Sequence, residues 1–338
     1  MNFDFSDDQH SIKRTAKDLL AGRFRMERVR EHADAGTYDE ATWKELGELG
    51  WPGIFIDEEY GGQGLGIVEL VILMEELGYV LAPLPFLSNA AAGLVLQAGG
   101  SEEQKARWLP GIASGEVRGT VGLVNEGEAK LVPDADAADV IVLCGHDART
   151  LIERSDADVE PVRTMDATRS YARVRAGGGE PLEGNHLPGL SCAALAVAAE
   201  LTGIAQRAME MAVEYARDRK QFGRPIGSYQ AVSHRCAQML LEVEGSRSAA
   251  YYAAWTADAE PETLALAASM AKAYASDAGW RVSTSALQVH GGIGFTWEHD
   301  LHFFLKRAKV NGSLYGSARD HRDIVARLSG VEQQASVA

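Results

Sequence analysis

Arg219-Lys220-Gln221-Phe222-Gly223, followed by Gln230 and then by Gln288-Val289-His290-Gly291-Gly292, is the part of the sequence on which its reading turns. A guanidinium presents a planar fork of donors that matches a diphosphate, and it stays charged at any working pH. In the Gln-x-x-Gly-Gly run the missing side chains let backbone N–H groups approach a pyrophosphate. The plainer reading is a helix-surface arginine followed by a structural glycine turn. The neighbouring blocks decide between the two.

Around these motifs the chain is helical and rich in Ala, Leu and Met. Helical patterns run over residues 193–217, 228–258, 261–290 and 299–328, and long helices joined by short turns predict an antiparallel four-helix bundle. The preceding stretch has another character. Val140-Ile141-Val142-Leu143-Cys144 is a short β-branched run, and Tyr171-Ala172-Arg173-Val174-Arg175 alternates between apolar and polar. Further upstream, Ile12, Thr15, Ala16, Leu19 and Leu20 share one helical face, and Ser101-Glu102-Glu103-Gln104 has the form of a helix-starting capping box. The class is therefore α+β, mainly α. The expected units are an N-terminal helical domain over 1–115, a reduced β domain over 116–184, a C-terminal helical bundle over 185–330, and a mobile polar tail over 331–338.

Composition narrows the function. The chain has 338 residues, 46% hydrophobic and 24% charged, which fits a globular protein with several packed units. Its formal charge is −15, from 33 basic and 48 acidic residues. Nucleic acid and anionic membranes, which need a basic surface, are excluded as main partners. Cys144, Cys192 and Cys236 are odd in number and widely spaced, which predicts buried reduced thiols rather than a disulfide framework. The N-terminus is acidic, with no basic region leading into an apolar run, so a cytoplasmic location is expected. The histidines form no HxxxH or HxH pair, and no metal site is expected. Gly62-x-Gly64 alone is a weak phosphate-binding signal and reads better as a structural turn.

Taken together, the blocks resemble the acyl-CoA dehydrogenase family over nearly the whole chain. Asp4-Phe5-Ser6-Asp7-Asp8-Gln9, Leu46-Gly47-Glu48-Leu49-Gly50-Trp51, Glu58-Glu59-Tyr60-Gly61-Gly62-Gln63-Gly64 and Leu109-Pro110 are similar to that family's first domain, and Asp166-Ala167-Thr168-Arg169 to the end of its middle domain. The resemblance implies FAD as cofactor. It gives Arg219, Phe222, Gln230, Gln288, Gly291 and Gly292 as contacts to the diphosphate and adenosine of a flavin bound mainly by a neighbouring subunit.

Two family features are missing. The Ser-Asp of the family's middle-domain flavin segment has no counterpart after Thr120-Val121-Gly122-Leu123. The chemistry also needs a carboxylate to take a proton α to a thioester carbonyl while a hydride leaves the β carbon. The family's usual glutamate corresponds to Gly316, and the alternative position falls near Ala194, so no catalytic residue is assigned. Glu200, alone in an alanine-rich helix, is the weak candidate for a relocated base and reads equally as a paired or packing residue.

What survives looks similar to the degenerate subunits of actinobacterial α2β2 dehydrogenases that act on steroid side-chain CoA thioesters. The expectation is a heterotetramer subunit, inactive alone, whose partner supplies the catalytic glutamate and most contacts to a bulky acyl-CoA. The alternatives are a self-sufficient homomeric dehydrogenase using a base such as Glu200, and a non-catalytic scaffold of the same fold.

Overall fold

The computed structural model describes residues 4–145, 149–176 and 178–331. Six helices come first: α1 (Asp7–Arg23), α2 (Met26–Ala35), α3 (Glu40–Glu48), α4 (Ile67–Tyr79), α5 (Phe86–Gly99) and α6 (Glu102–Ser114). The box at Ser101 forms as its spacing predicts: the hydroxyl accepts from Gln104 N while the Gln104 side chain accepts from Ser101 N. At Gly62 a Cβ would run into the Ile56 carbonyl, so that glycine serves chain packing.

Seven strands follow: β1 (Gly119–Asn125), β2 (Glu128–Pro133), β3 (Val140–Cys144), β4 (Arg149–Glu153), β5 (Ala157–Pro161), β6 (Tyr171–Ala176) and β7 (Glu180–Pro181). They form one sheet in the order β5-β6-β2-β1-β3-β4-β7, with β1 and β3 parallel and the other pairs antiparallel. Strand β3 is buried on both faces, which explains its unbroken apolar run. Val140 and Val142 point into the main core with the helices. Ile141 and Leu143 point the other way, into a second small core with Val132, Ile152 and Val174.

The C-terminal part contains α7 (Leu187–Asp218), the hairpin strands β8 (Lys220–Gln221) and β9 (Arg224–Pro225), α8 (Gln230–Ala259), α9 (Leu264–His290), α10 (Leu301–Asn311) and α11 (Ala318–Leu328). Helix α7 is long and apolar enough to cross a membrane, but it is the core of the bundle, with an unbroken buried run from Cys192 to Ala205. The fourth long helix expected over 299–328 is instead two helices. Gly316 takes φ +106°, and Ser317 then caps α11 by accepting from Asp320 N, so the chain turns between them. Cys144 and Cys192 are buried and Cys236 is half-buried, all three reduced; burial pushes the first two thiols up to about 12. The tail expected to be mobile lies, beyond residue 331, outside the described residues.

Candidate functional site

Helix α7 ends at Arg219, whose φ −71°, ψ 122° leaves the helix while its N–H still donates to Tyr215 O at 2.9 Å. The chain then makes a two-residue hairpin turn through Phe222 and Gly223, at φ +52° and +83°. Positive φ at both positions is the geometry for which the Gly of Phe-Gly is suited; Phe222 accepts it at some cost. Its ring is 93% exposed. Tyr229 braces the hairpin: its hydroxyl donates to Gln221 O at 3.2 Å, and the Arg224 guanidinium lies 4.1 Å from its ring centre. Gln230 opens α8 with its side chain exposed.

The second motif closes α9. Gln288 is exposed in its last turn, and Gly291 takes φ +64°, ψ −140°, a conformation open essentially to glycine alone. A Cβ on Gly291 or Gly292 would meet nothing within 4 Å, so both present bare backbone to open space. The two motifs lie at one end of the bundle because the Tyr215 ring, one turn before Arg219, stacks on the His290 ring with centroids 4.6 Å apart. Arg219 has no ion pair among the described residues. An unpaired guanidinium and an exposed aromatic ring at the end of α7, with two open glycines at the end of the helix stacked against it through Tyr215 and His290, fit the tail of a flavin dinucleotide.

The turn at Tyr315-Gly316 is closed. A Cβ on Gly316 would sit 2.8 Å from His321 Nε2. That nitrogen lies 3.0 Å from Tyr315 O, so it carries the proton and donates; Nδ1 faces the Ser269 hydroxyl at 3.3 Å. Lys272, fully buried, donates to Gly316 O at 3.0 Å, Ser276 Oγ at 3.1 Å and Gly312 O at 3.4 Å. Burial pushes the Lys272 ammonium down to about 7. Burial, and then the nearby Lys272 charge, takes His321 down to about 4.

Glu200 lies in a buried ionic cluster. Its carboxylate accepts from Arg169 Nη2 at 2.8 Å, Arg307 Nη1 at 2.7 Å and Asn311 Nδ2 at 2.8 Å. Arg307, wholly buried, also donates to Asp166 Oδ2 at 2.6 Å and to Thr168 O at 2.8 Å. Burial alone would raise the Glu200 carboxyl, but Arg169 and then Arg307 outweigh it and hold the group below the ordinary carboxylate range. Of the two readings that the sequence leaves open for Glu200, this geometry supports the paired one: a carboxylate held by two guanidiniums is a weak proton acceptor. Beside it, between Leu77, Leu84, Leu87, Arg169 and Glu200, the remaining void is only about 10 Å³. That is room for no more than about one water.

Sequence reasoning did not pick out Tyr215, Arg307, Asn311, Lys272 or His321. Arg307 had a signal, because it shares the buried face of α10 with Phe303, Phe304 and Val310. His290 and His299, which invite a catalytic reading, touch each other ring to ring at 4.5 Å instead. Among the described residues, no three His, Cys, Asp or Glu side chains are grouped to hold a metal ion.

Comparison with known proteins gives the class. Residues 6–116 match the acyl-CoA dehydrogenase N-terminal domain, and residues 186–329 match the acyl-CoA dehydrogenase C-terminal domain. The chain belongs to the acyl-CoA dehydrogenase family, whose members are FAD-dependent flavoproteins. Among its relatives, acyl-CoA dehydrogenase IpdE2 of Mycobacterium tuberculosis is 35% identical over 318 residues, 93% of this chain and 95% of that protein. The IpdE2 of Mycolicibacterium smegmatis is 34% identical, covering 93% and 96%. Similar solved structures include the ChsE4-ChsE5 complex from Mycobacterium tuberculosis, with TM-score 0.89, 25% identity and coverage of 98% and 99%. The Tcur3481-Tcur3483 steroid ACAD G363A variant has TM-score 0.87, 26% identity and the same coverage.

Proposed function

We propose that this chain is the base-lacking subunit of a hetero-oligomeric acyl-CoA dehydrogenase. In this reading it lends Arg219, Phe222, Gln230, Gln288, Gly291 and Gly292 to the diphosphate and adenosine of an FAD whose ring lies in the partner subunit. The observation that carries it is a contrast within one chain. The dinucleotide grip is open and unpaired, while the turn that should hold the base is filled by His321 and pinned by Lys272. The buried Arg307–Glu200 cluster beside it supports the same division, since the neighbouring void of about 10 Å³ cannot take an acyl chain.

Bound FAD supplies a hydride acceptor. The partner supplies the carboxylate that takes the α proton, and this chain's residues fix the cofactor's tail. The substrate class is a bulky acyl-CoA, in the first place the CoA thioester of a steroid side chain. The likeness to a two-component steroid ACAD and to the ChsE4-ChsE5 complex supports both the heteromer and the substrate. The proposed assembly is an α2β2 heterotetramer with a cytoplasmic location.

The test is expression of the chain alone and together with a second dehydrogenase subunit that carries the glutamate. The expected result is a colourless, inactive protein alone and one FAD per heterodimer in an active complex. A yellow, active homomer would overturn the proposal in favour of a self-sufficient enzyme.

A further inference from the structure

The two halves of the dinucleotide grip are far apart in sequence, and a diphosphate spans only a few ångströms. Something must therefore fix Arg219 relative to Gly291 and Gly292. The rings between them are arranged to do so. Tyr215 stacks on His290 at 4.6 Å and 25°, and His299 meets the same His290 ring at a tilt, 4.5 Å and 62°. Tyr215 is tied to the arginine itself, because its carbonyl accepts the Arg219 N–H at 2.9 Å. His290 immediately precedes Gly291, and its Nδ1 donates to Ala286 O at 2.8 Å, which fixes the ring plane. The far end of the glycine loop is held from α2. Arg30 donates to Asp300 at 2.6 Å, to Trp297 O at 3.0 Å and to Glu298 O at 3.3 Å.

We infer that Tyr215, His290 and His299 form a positioning stack that holds the Gly291–Gly292 backbone in register with Arg219, so that one diphosphate meets both. This rests on the reading that the flavin tail is held here. None of the three rings needs to touch the cofactor: Tyr215 acts through Arg219, and His290 through the glycine turn. Aromatic pairs favour particular relative orientations, offset-stacked or edge-to-face, worth about 0.5–1.5 kcal/mol beyond the area they bury, a directional term that aliphatic contacts at the same place would lack.

The test uses the co-expressed complex and measures FAD affinity by release of flavin fluorescence on dilution, with thermal unfolding of the same samples. His290→Ala is expected to weaken FAD binding by about 2- to 12-fold, the range an aromatic pair supports. His290→Phe, which keeps a flat ring, is expected to restore most of the affinity. Tyr215→Leu removes the stack from the other side and serves if His290→Ala does not fold. Combined with Arg219→Ala, either variant should lose less than the product of the two effects, because both act on one grip. If His290→Ala and Tyr215→Leu bind FAD as wild type does, or if His290→Phe is as weak as His290→Ala, the stack has no positioning role. If Arg219→Ala itself leaves FAD binding unchanged, the failure lies in the reading of the site and not in the stack.

Discussion

His321 occupies the space that a side chain on Gly316 would need, with its Nε2 2.8 Å from the place of a Cβ. The backbone there has φ +106°, which L side chains rarely adopt. In the proposed reading, the absence of a base here is therefore more than a single exchanged residue. Restoring the family's glutamate by Gly316→Glu should cost about 1–3 kcal/mol of stability through strain and overpacking. It should give no dehydrogenase activity to the chain alone. Thermal unfolding and turnover of an acyl-CoA with an artificial electron acceptor check both parts, and an active, stable Gly316→Glu protein would contradict them.

Arg219 is exposed and has no ion pair among the described residues, so removing it should leave the fold intact. Arg219→Ala is expected to change unfolding stability by no more than about 0.5 kcal/mol. Loss of a charge-assisted contact to phosphate is worth about 1.5–3 kcal/mol, or roughly 10- to 150-fold in FAD affinity. Arg219→Lys should recover only part of this, since an ammonium keeps the charge but not the bidentate fork. Flavin content after gel filtration, measured beside the melting temperature, separates these outcomes.

The Glu200 cluster predicts the opposite pattern, a large effect on stability and none on flavin chemistry. Removing one member of a buried ionic group leaves its partners uncompensated and costs roughly 3–5 kcal/mol. Arg307→Met or Glu200→Gln should therefore unfold at lower denaturant concentration. The pair Arg307→Met with Glu200→Leu should lose less than the sum, because each single variant already removes the contact the two share, while Asp166 and Arg169 lose a partner in either case. The sign with pH follows from the lowered folded-state value of Glu200. Its contribution is complete above the ordinary value of 4.5 and is lost as pH falls further, through the folded-state value. In Arg307→Met the Glu200 carboxyl keeps Arg169 but loses the second part of that support, so acid unfolding should begin at higher pH than in the wild type.

The residues that could be read in the sequence are those that work through local chemistry. The Ser101 capping box and the β3 apolar run each carry their structure in four or five adjacent positions. The outline of the fold followed from such signals. Gly316 was legible as a gap, but its cause was not, because His321 and Lys272 reach it from α11 and α9. Strands β2, β4 and β5 were missed for a related reason: Glu128–Pro133, Arg149–Glu153 and Ala157–Pro161 carry mixed polar residues and are held by cross-strand pairing. The Arg307–Glu200 pair spans 107 positions, and only the tertiary structure brings its members together.

Lys272 makes the last prediction, about alkaline rather than acid conditions. The folded protein surrounds its ammonium with neutral acceptors, and burial lowers it to about 7 against an ordinary 10.5. The unfolded chain therefore binds a proton that the folded chain has released, and stability from this group should rise as pH increases from about 7 towards 10.5. The usable window is narrower. The buried thiols Cys144 and Cys192, raised to about 12 from an ordinary 9.0, reduce stability once pH passes 9. His302 and His321, lowered to about 4, act below their ordinary 6.5. Between pH 7 and 9 the slope thus belongs largely to Lys272, with a smaller contribution of the same sign from Lys306, which burial also lowers. Urea unfolding of the wild type should show stability increasing across that range. Lys272→Met should flatten the increase, whatever it does to stability at pH 7. An unchanged slope in Lys272→Met would mean that the ammonium stays charged in the core and that its three acceptors fully offset its burial.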